Sequence, residues 1–169
     1  MSIDKTLILD KAQTLQKIKR IAYEIFEHNF KEKEIVLAGI YDKGYVFAEL
    51  LKKELEAISP LKVTLVKLNL DKFSPQQTEI TLDVDVKTLK KKVVVILDDV
   101  INSGRTLAYS LKPFLNIEIK KLQIAVIVDR GHKSFPVSAD YVGYALATSL
   151  KEQIEVELED VNSFGVYLQ

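Results

Sequence analysis

The sequence predicts an α/β fold, a mainly parallel sheet with helices on both faces. Three observations carry this. Short aliphatic stretches alternate with segments whose apolar residues recur every three or four positions. Several of those stretches, EIVLAGI (34–40), VVVIL (93–97) and LQIAVIV (122–128), are apolar almost throughout, as strands buried on both faces are. Each is followed by a polar loop (41–44, 98–104 and 129–132), and ligands of such sheets bind beyond the carboxyl ends of the strands.

The elements follow in order. Leu15, Ile18, Ala22, Ile25 and Phe26 keep helical spacing and predict a helix over roughly 11–30. Residues 34–40 are short and aliphatic, hence a strand, and Tyr41-Asp42-Lys43-Gly44 is a turn. Phe47, Leu50, Leu51, Leu55 and Ile58 mark a second helix, with Pro60 just past its end. KVTLVKLNL (62–70) is a second strand. Residues 71–90 are polar, contain Pro75 and hold no sustained period, which is the character of a flexible lid or binding loop. Within them EITLDVDV alternates and predicts a hairpin arm. The strand 93–97 precedes a helix over 104–115 that Pro113 ends or bends. The strand 122–128, a short strand 141–144, and a terminal hairpin (154–158 and 164–168, turning at Asn162 and Ser163) complete the chain.

A length of 169 residues suits one domain, 1–169, with one sizeable core. Net charge is zero, so bulk charge argues for neither nucleic acid nor a membrane surface. No cysteine is present, which excludes a disulfide scaffold, a thiolate nucleophile and a cysteine-ligated metal. MSIDKTLILDKAQ is too charged for a signal peptide, and no run approaches the ~20 apolar residues of a membrane helix. The expectation is a cytoplasmic protein.

The stretch VVVILDDVINSGRTL (93–107) carries the chemistry. Asn102, Ser103, Gly104, Arg105 and Thr106 lie between a strand and a helix, where unpaired N–H groups and the helix dipole favour an anion. Gly104 lets the backbone approach a ligand, Ser103 and Thr106 add hydroxyls, and Arg105 adds charge. Taken alone, this loop reads first as a plain helix cap, with Asn or Ser at the N-cap and no ligand needed. Asp98 and Asp99, adjacent in an extended strand, point to opposite faces, and burying either carboxylate unpaired is costly. Turn aspartates are one reading; a metal, ligand hydroxyls or nearby donors are the other. Together, a loop gripping phosphate and carboxylates gripping a sugar diol suit a pentose 5-phosphate. A P-loop hydrolase is rejected, because GIYDKG (39–44) is followed by Tyr45-Val46 instead of Lys and a hydroxyl residue.

VVVILDDVINSGRT resembles the phosphoribosyl pyrophosphate (PRPP) signature of type I phosphoribosyltransferases. IAYEIFEHN, VLAGIYDKGYVFAELL and LQIAVIVDRGHKSFPVSADYVG resemble the PyrR-like branch, uracil phosphoribosyltransferases that in some bacteria also attenuate pyrimidine operons through RNA. The similarity runs from about residue 12 to about 160 and weakens over 71–90. It implies a mainly parallel five-stranded sheet with a small hood from the terminal segments. It also implies transfer of phosphoribosyl to a base, uracil first, with Mg²⁺ held through substrate and by Asp98. Asp98 and Asp99 would hold the ribose hydroxyls, and 102–106 the 5-phosphate. Asp42, Lys43 and Gly44 would form the pyrophosphate loop, and Val128, Asp129 and Arg130 would lie beside the base. A homodimer or higher homo-oligomer is implied as well.

Four departures bear on this. Phe73-Ser74 stands where the branch carries Tyr-Arg in its lid. Asp42-Lys43-Gly44 replaces Thr-Arg-Gly, keeping a charge and losing a bidentate fork. Asn102 replaces the Asp that 6-oxopurine enzymes use near the purine N7, and an amide is no base. Leu146-Ala147-Thr148-Ser149 replaces a Val-Pro-Thr-Ser segment near the base. The alternatives are an RNA-binding regulator that senses nucleotides, a 6-oxopurine enzyme, and a degenerate PRPP-binding domain. His132 is read as a loop histidine with a structural hydrogen bond. Lys87, Lys90, Lys91 and Lys92 are read as a solvated turn instead of an RNA edge. Tyr141 and Tyr144 are read as core or interface residues.

Overall fold

Asp10 starts the first helix by a reciprocal cap. Its carboxylate accepts from the Gln13 N–H at 2.8 Å, and the Gln13 side chain accepts from the Asp10 N–H at 2.9 Å. The protein is described by a computed structural model covering residues 4–74, 76 and 79–169. Helix α1 (Lys11–His28) follows strand β1 (Thr6–Leu9) and buries Ile18, Ile21, Ala22 and Ile25. Next come β2 (Glu34–Ile40), α2 (Lys43–Ile58), β3 (Lys62–Asn69), β4 (Thr81–Leu82), β5 (Val93–Ile101) and α3 (Arg105–Ser110). The chain ends with β6 (Lys121–Asp129), β7 (Tyr141–Ala145), β8 (Ile154–Glu157) and β9 (Gly165–Leu168).

The main sheet runs β4-β3-β2-β5-β6-β7. Five strands are parallel, and β4 pairs antiparallel with β3 as an edge. Side-chain alternation divides the core. Leu37, Val95 and Leu97 face α1 and α2, while Val36, Ala38, Val94 and Ile96 face α3. Both faces are covered, which is why these strands read as unbroken apolar runs. Arg20 of α1 donates to the carbonyls of Val142 and Gly143 in β7, each at 2.7 Å. A second, three-stranded antiparallel sheet, β1-β9-β8, forms the hood.

Leu37 is fully buried at the centre of β2. Leu37→Ala is expected to cost about 3 kcal/mol, the transfer term plus the cavity. A urea midpoint shifted by less than ~1 kcal/mol would contradict this packing.

The structure amends several sequence expectations. β5 runs four residues beyond the aliphatic stretch, so both aspartates lie inside the strand. The second helix starts at Lys43, not near Phe47, and takes in part of the expected turn. The third is six residues long, followed by a 3-10 turn over Lys112–Phe114 with Pro113 in it; a full α-helix over 104–115 does not form. The first helix ends at His28, where Asn29 caps its last turn. Of the arm expected over EITLDVDV, only Thr81–Leu82 pairs, and Val86–Leu89 is a 3-10 turn. Pro75, in the expected loop, lies outside the described residues. β1 was not expected: its run, TLIL, is four residues long and only Leu9 is buried. Tyr141 is core, and Tyr144 packs half-buried against it.

Candidate active site at the carboxyl end of the parallel sheet

The central strand delivers the acidic pair. Asp98 is opposite Val126 of β6, on the α3 side of the sheet, and is 2% exposed. Asp99 is less buried. One oxygen of Asp98 accepts from the Asp99 N–H at 2.9 Å and from Lys72 Nζ at 2.8 Å. The same ammonium lies 3.8 Å from Asp99. Burial first, and the Asp99 charge second, push the Asp98 carboxyl up to about 8, against the pull of Lys72. Burial works to lower Lys72, but Asp98 and Asp99, with Asp42, outweigh it and hold the ammonium above its ordinary value.

A pH dependence follows. An unfolded aspartate loses its proton near pH 4, whereas Asp98 in the fold keeps it to about pH 8. The folded state therefore binds the extra proton, and this contribution to stability is full below about pH 4 and lost as pH rises through about 8. Asp98→Asn is expected to flatten the fall in urea midpoint between pH 5 and pH 8. An identical slope in wild type and variant would refute the assignment.

Beyond β5 the chain turns at Gly104, whose φ of +83° is the left-handed region that suits glycine. Ser103 Oγ accepts from the Arg105 N–H at 3.3 Å, and the Ser103 carbonyl accepts from the N–H groups of Ser134 and Phe135. Arg105 donates to the Ser74 carbonyl and lies over the Tyr109 ring. Asp98, Asp99, Asn102, Ser103, Gly104, Arg105 and Thr106 all border one cavity of about 340 Å³, together with Lys72, Phe73 and Ile154. Seven of the expected site residues are thus brought together.

The expected pyrophosphate loop is adjacent but does not border that cavity among the described residues. Gly44 packs against β5: a Cβ there would lie 2.4 Å from the Leu97 carbonyl oxygen and 3.1 Å from Asp98 Cα. Asp42 faces a separate hollow of about 760 Å³ with Tyr41, Tyr45 and Lys67. Lys43 lies towards Glu157 of the hood, whose carboxyl is held below its ordinary range mainly by the Glu159 N–H and more weakly by Lys43. The peptide between Tyr41 and Asp42 is cis.

On the other side, Val128 is fully buried and packs in the core, not in the cavity. Asp129 accepts from Gly131 N–H at 2.9 Å and pairs with Lys133 at 3.3 Å. Arg130 donates from Nε to Thr148 Oγ1 at 2.6 Å, from Nη2 to the carbonyls of Ser149 and Glu152, and from Nη1 to Asn102 Oδ1 at 3.3 Å. His132 Nε2 meets the Thr148 carbonyl, the structural bond expected of it. Lys72 as partner of Asp98 and Thr148 as anchor for Arg130 were not read from the sequence, because the contacts join segments 26 and 18 positions apart.

The donors present fit a hard divalent cation. Among the described residues no cluster of three metal-ligating side chains occurs, and two carboxylates beside an open cavity suit Mg²⁺, which takes few protein ligands plus substrate oxygens and water. No helix of the described residues is long and apolar enough to cross a membrane.

Comparison with known proteins agrees with this geometry. Residues 5–161 match the phosphoribosyl transferase domain family. The chain is 34% identical to the bifunctional protein PyrR of Fusobacterium nucleatum over 96% of each protein. It is 35% identical to that of Pelotomaculum thermopropionicum over 96% of this chain and 93% of the relative. Its fold is similar to a hypoxanthine-guanine phosphoribosyltransferase of Bacillus anthracis, with a TM-score of 0.76 at 21% identity, over 98% of this chain and 99% of that one. A hypoxanthine phosphoribosyltransferase of Trypanosoma cruzi gives 0.74 at 16% identity, covering 85% and 83%. The chain thus belongs to the phosphoribosyl transferase family, in its PyrR-like branch, with the type I fold.

Proposed function

We propose that the protein transfers the phosphoribosyl group of PRPP to a ring nitrogen of a nucleobase, with uracil the leading acceptor. The observation that carries this is one cavity bordered both by adjacent aspartates and by the 103–106 loop. A 5-phosphate at Ser103 to Thr106 would meet loop amides, two hydroxyls and Arg105. The sugar then lies back towards Asp98 and Asp99, whose oxygens accept from its hydroxyls. Lys72 already occupies that place, so donor binding exchanges an ammonium for hydroxyls.

In the reaction the C1–O bond to pyrophosphate breaks, the C1–N bond forms, and the ring nitrogen gives up its proton to the departing pyrophosphate. Positive charge develops on the ribose ring, and the Asp99 carboxylate beside it stabilises that charge, while the oxygens of Asp98 accept from the ribose hydroxyls. Asp98 and Asp99 would lie beside a Mg²⁺ brought with the donor, which would supply neutralising charge to the departing pyrophosphate. Lys72, displaced from the aspartates, and Lys43 would supply positive charge to the departing group. Asp42 to Gly44 serve as the pyrophosphate loop, and Asp129 with Arg130 borders the base side. Asn102, an amide where a base would be needed for a 6-oxopurine, supports a pyrimidine acceptor.

The test incubates the protein with PRPP, Mg²⁺ and a panel of bases and separates the nucleotides formed. UMP is expected. IMP or GMP would replace the acceptor, and donor binding without any nucleotide would leave a PRPP-binding domain. The RNA-binding alternative predicts binding of pyrimidine-operon leader RNA that weakens steeply with salt. Assembly as a homodimer belongs to this reading and is checked by sedimentation.

A further inference from the structure

One short segment of the chain engages both halves of the cavity. Lys72 Nζ donates to Asp98 at 2.8 Å and lies 3.8 Å from Asp99. Two residues on, the Ser74 carbonyl accepts from the Arg105 guanidinium. Lys72 and Phe73 border the same cavity as the two aspartates and Arg105. Among the described residues, no other lysine or arginine pairs with either aspartate. The polarities match those of a sugar phosphate, with a donor on the carboxylates and an acceptor oxygen on the guanidinium. Phe73, between the two contacts, is 94% exposed and adds almost no apolar burial. Polar contacts of the kind a ligand can replace therefore hold the segment in place.

We infer that residues 72–74 are an internal occupant of the sugar-phosphate site, a strap that competes with ligand for Asp98, Asp99 and Arg105 and leaves before a sugar phosphate binds. This rests on the phosphoribosyl-transfer reading and adds to it that the free protein blocks itself. Affinity for a sugar phosphate is then lowered to the extent that the strap is engaged. Loss of the Lys72 ammonium has opposite signs in the two possible roles. If Lys72 only lends positive charge to the cavity, its loss weakens the binding of an anion. If Lys72 is a competitor, its loss strengthens that binding.

The experiment titrates wild type and Lys72→Met with ribose 5-phosphate by calorimetry, with a metal chelator present. This ligand carries the hydroxyls and the monoester, and it lacks the pyrophosphate that a displaced Lys72 would meet. Lys72→Met is expected to lower the Kd about 10-fold. Equal or weaker binding by the variant would overturn the strap and leave the transfer reading standing. Binding by neither protein would overturn the sugar-phosphate reading of the cavity, and the strap with it. A second measurement keeps Lys72 and does not depend on the folding of Lys72→Met. Phe73→Trp gives the chain a single tryptophan, placed on the strap. On rapid mixing with ribose 5-phosphate, its emission is expected to change at a rate that levels off as ligand rises, because strap release limits binding. A rate proportional to ligand throughout, or an unchanged emission, would overturn the inference.

Discussion

Asp99→Asn is expected to lower kcat by about 100-fold or more while leaving the melting temperature nearly unchanged. The substitution keeps an acceptor oxygen and removes the charge. In the free protein that charge makes one long ion pair, 3.8 Å from Lys72, so folding loses at most ~1 kcal/mol. On the proposed mechanism the same charge would face a ribose ring turning cationic in the transition state, in a partly enclosed cavity where the attraction is stronger than in water. The two measurements must therefore diverge. PRPP titrations separate the contributions further, because the sugar hydroxyl contacts persist in part with an amide. Unchanged turnover would show that the acidic pair plays no part in the chemistry.

Gly44→Ala has the second large effect, and it couples fold to site. The added methyl would lie 2.4 Å from the Leu97 carbonyl oxygen, a distance no real contact holds, and 3.1 Å from Asp98 Cα. Both neighbours are backbone in the central strand and cannot rotate away, so the start of α2 must shift. Such overpacking costs about 1–3 kcal/mol. A displacement of the order of 1 Å beside Asp98 is expected to lower kcat/KM by about 100-fold. Thermal unfolding and kinetics on the same sample check both. Wild-type behaviour would show that the loop and strand are less closely packed than described.

The central strands and the loop after β5 were legible because their signals are local. Three aliphatic runs correspond to β2, β5 and β6, and the residues of DDVINSGRT border one cavity. What could not be read depends on distant partners. β1 is four residues long and is a strand because β9 pairs with it. Lys72 looks like a loop lysine until the fold sets it on Asp98, 26 positions away. Lys43 carries the expected charge, but its place at the first position of α2 leaves it near Glu157 and out of the cavity wall. Arg130 stands at the expected place, and its guanidinium is committed to the 148–152 segment.

The two carbonyls that Arg20 engages on β7 have a consequence for self-association. A strand from a second copy, laid beside β7, would have to strip a charged donor from oxygens it needs for its own ladder. Continuous intermolecular sheets through that margin are thereby disfavoured.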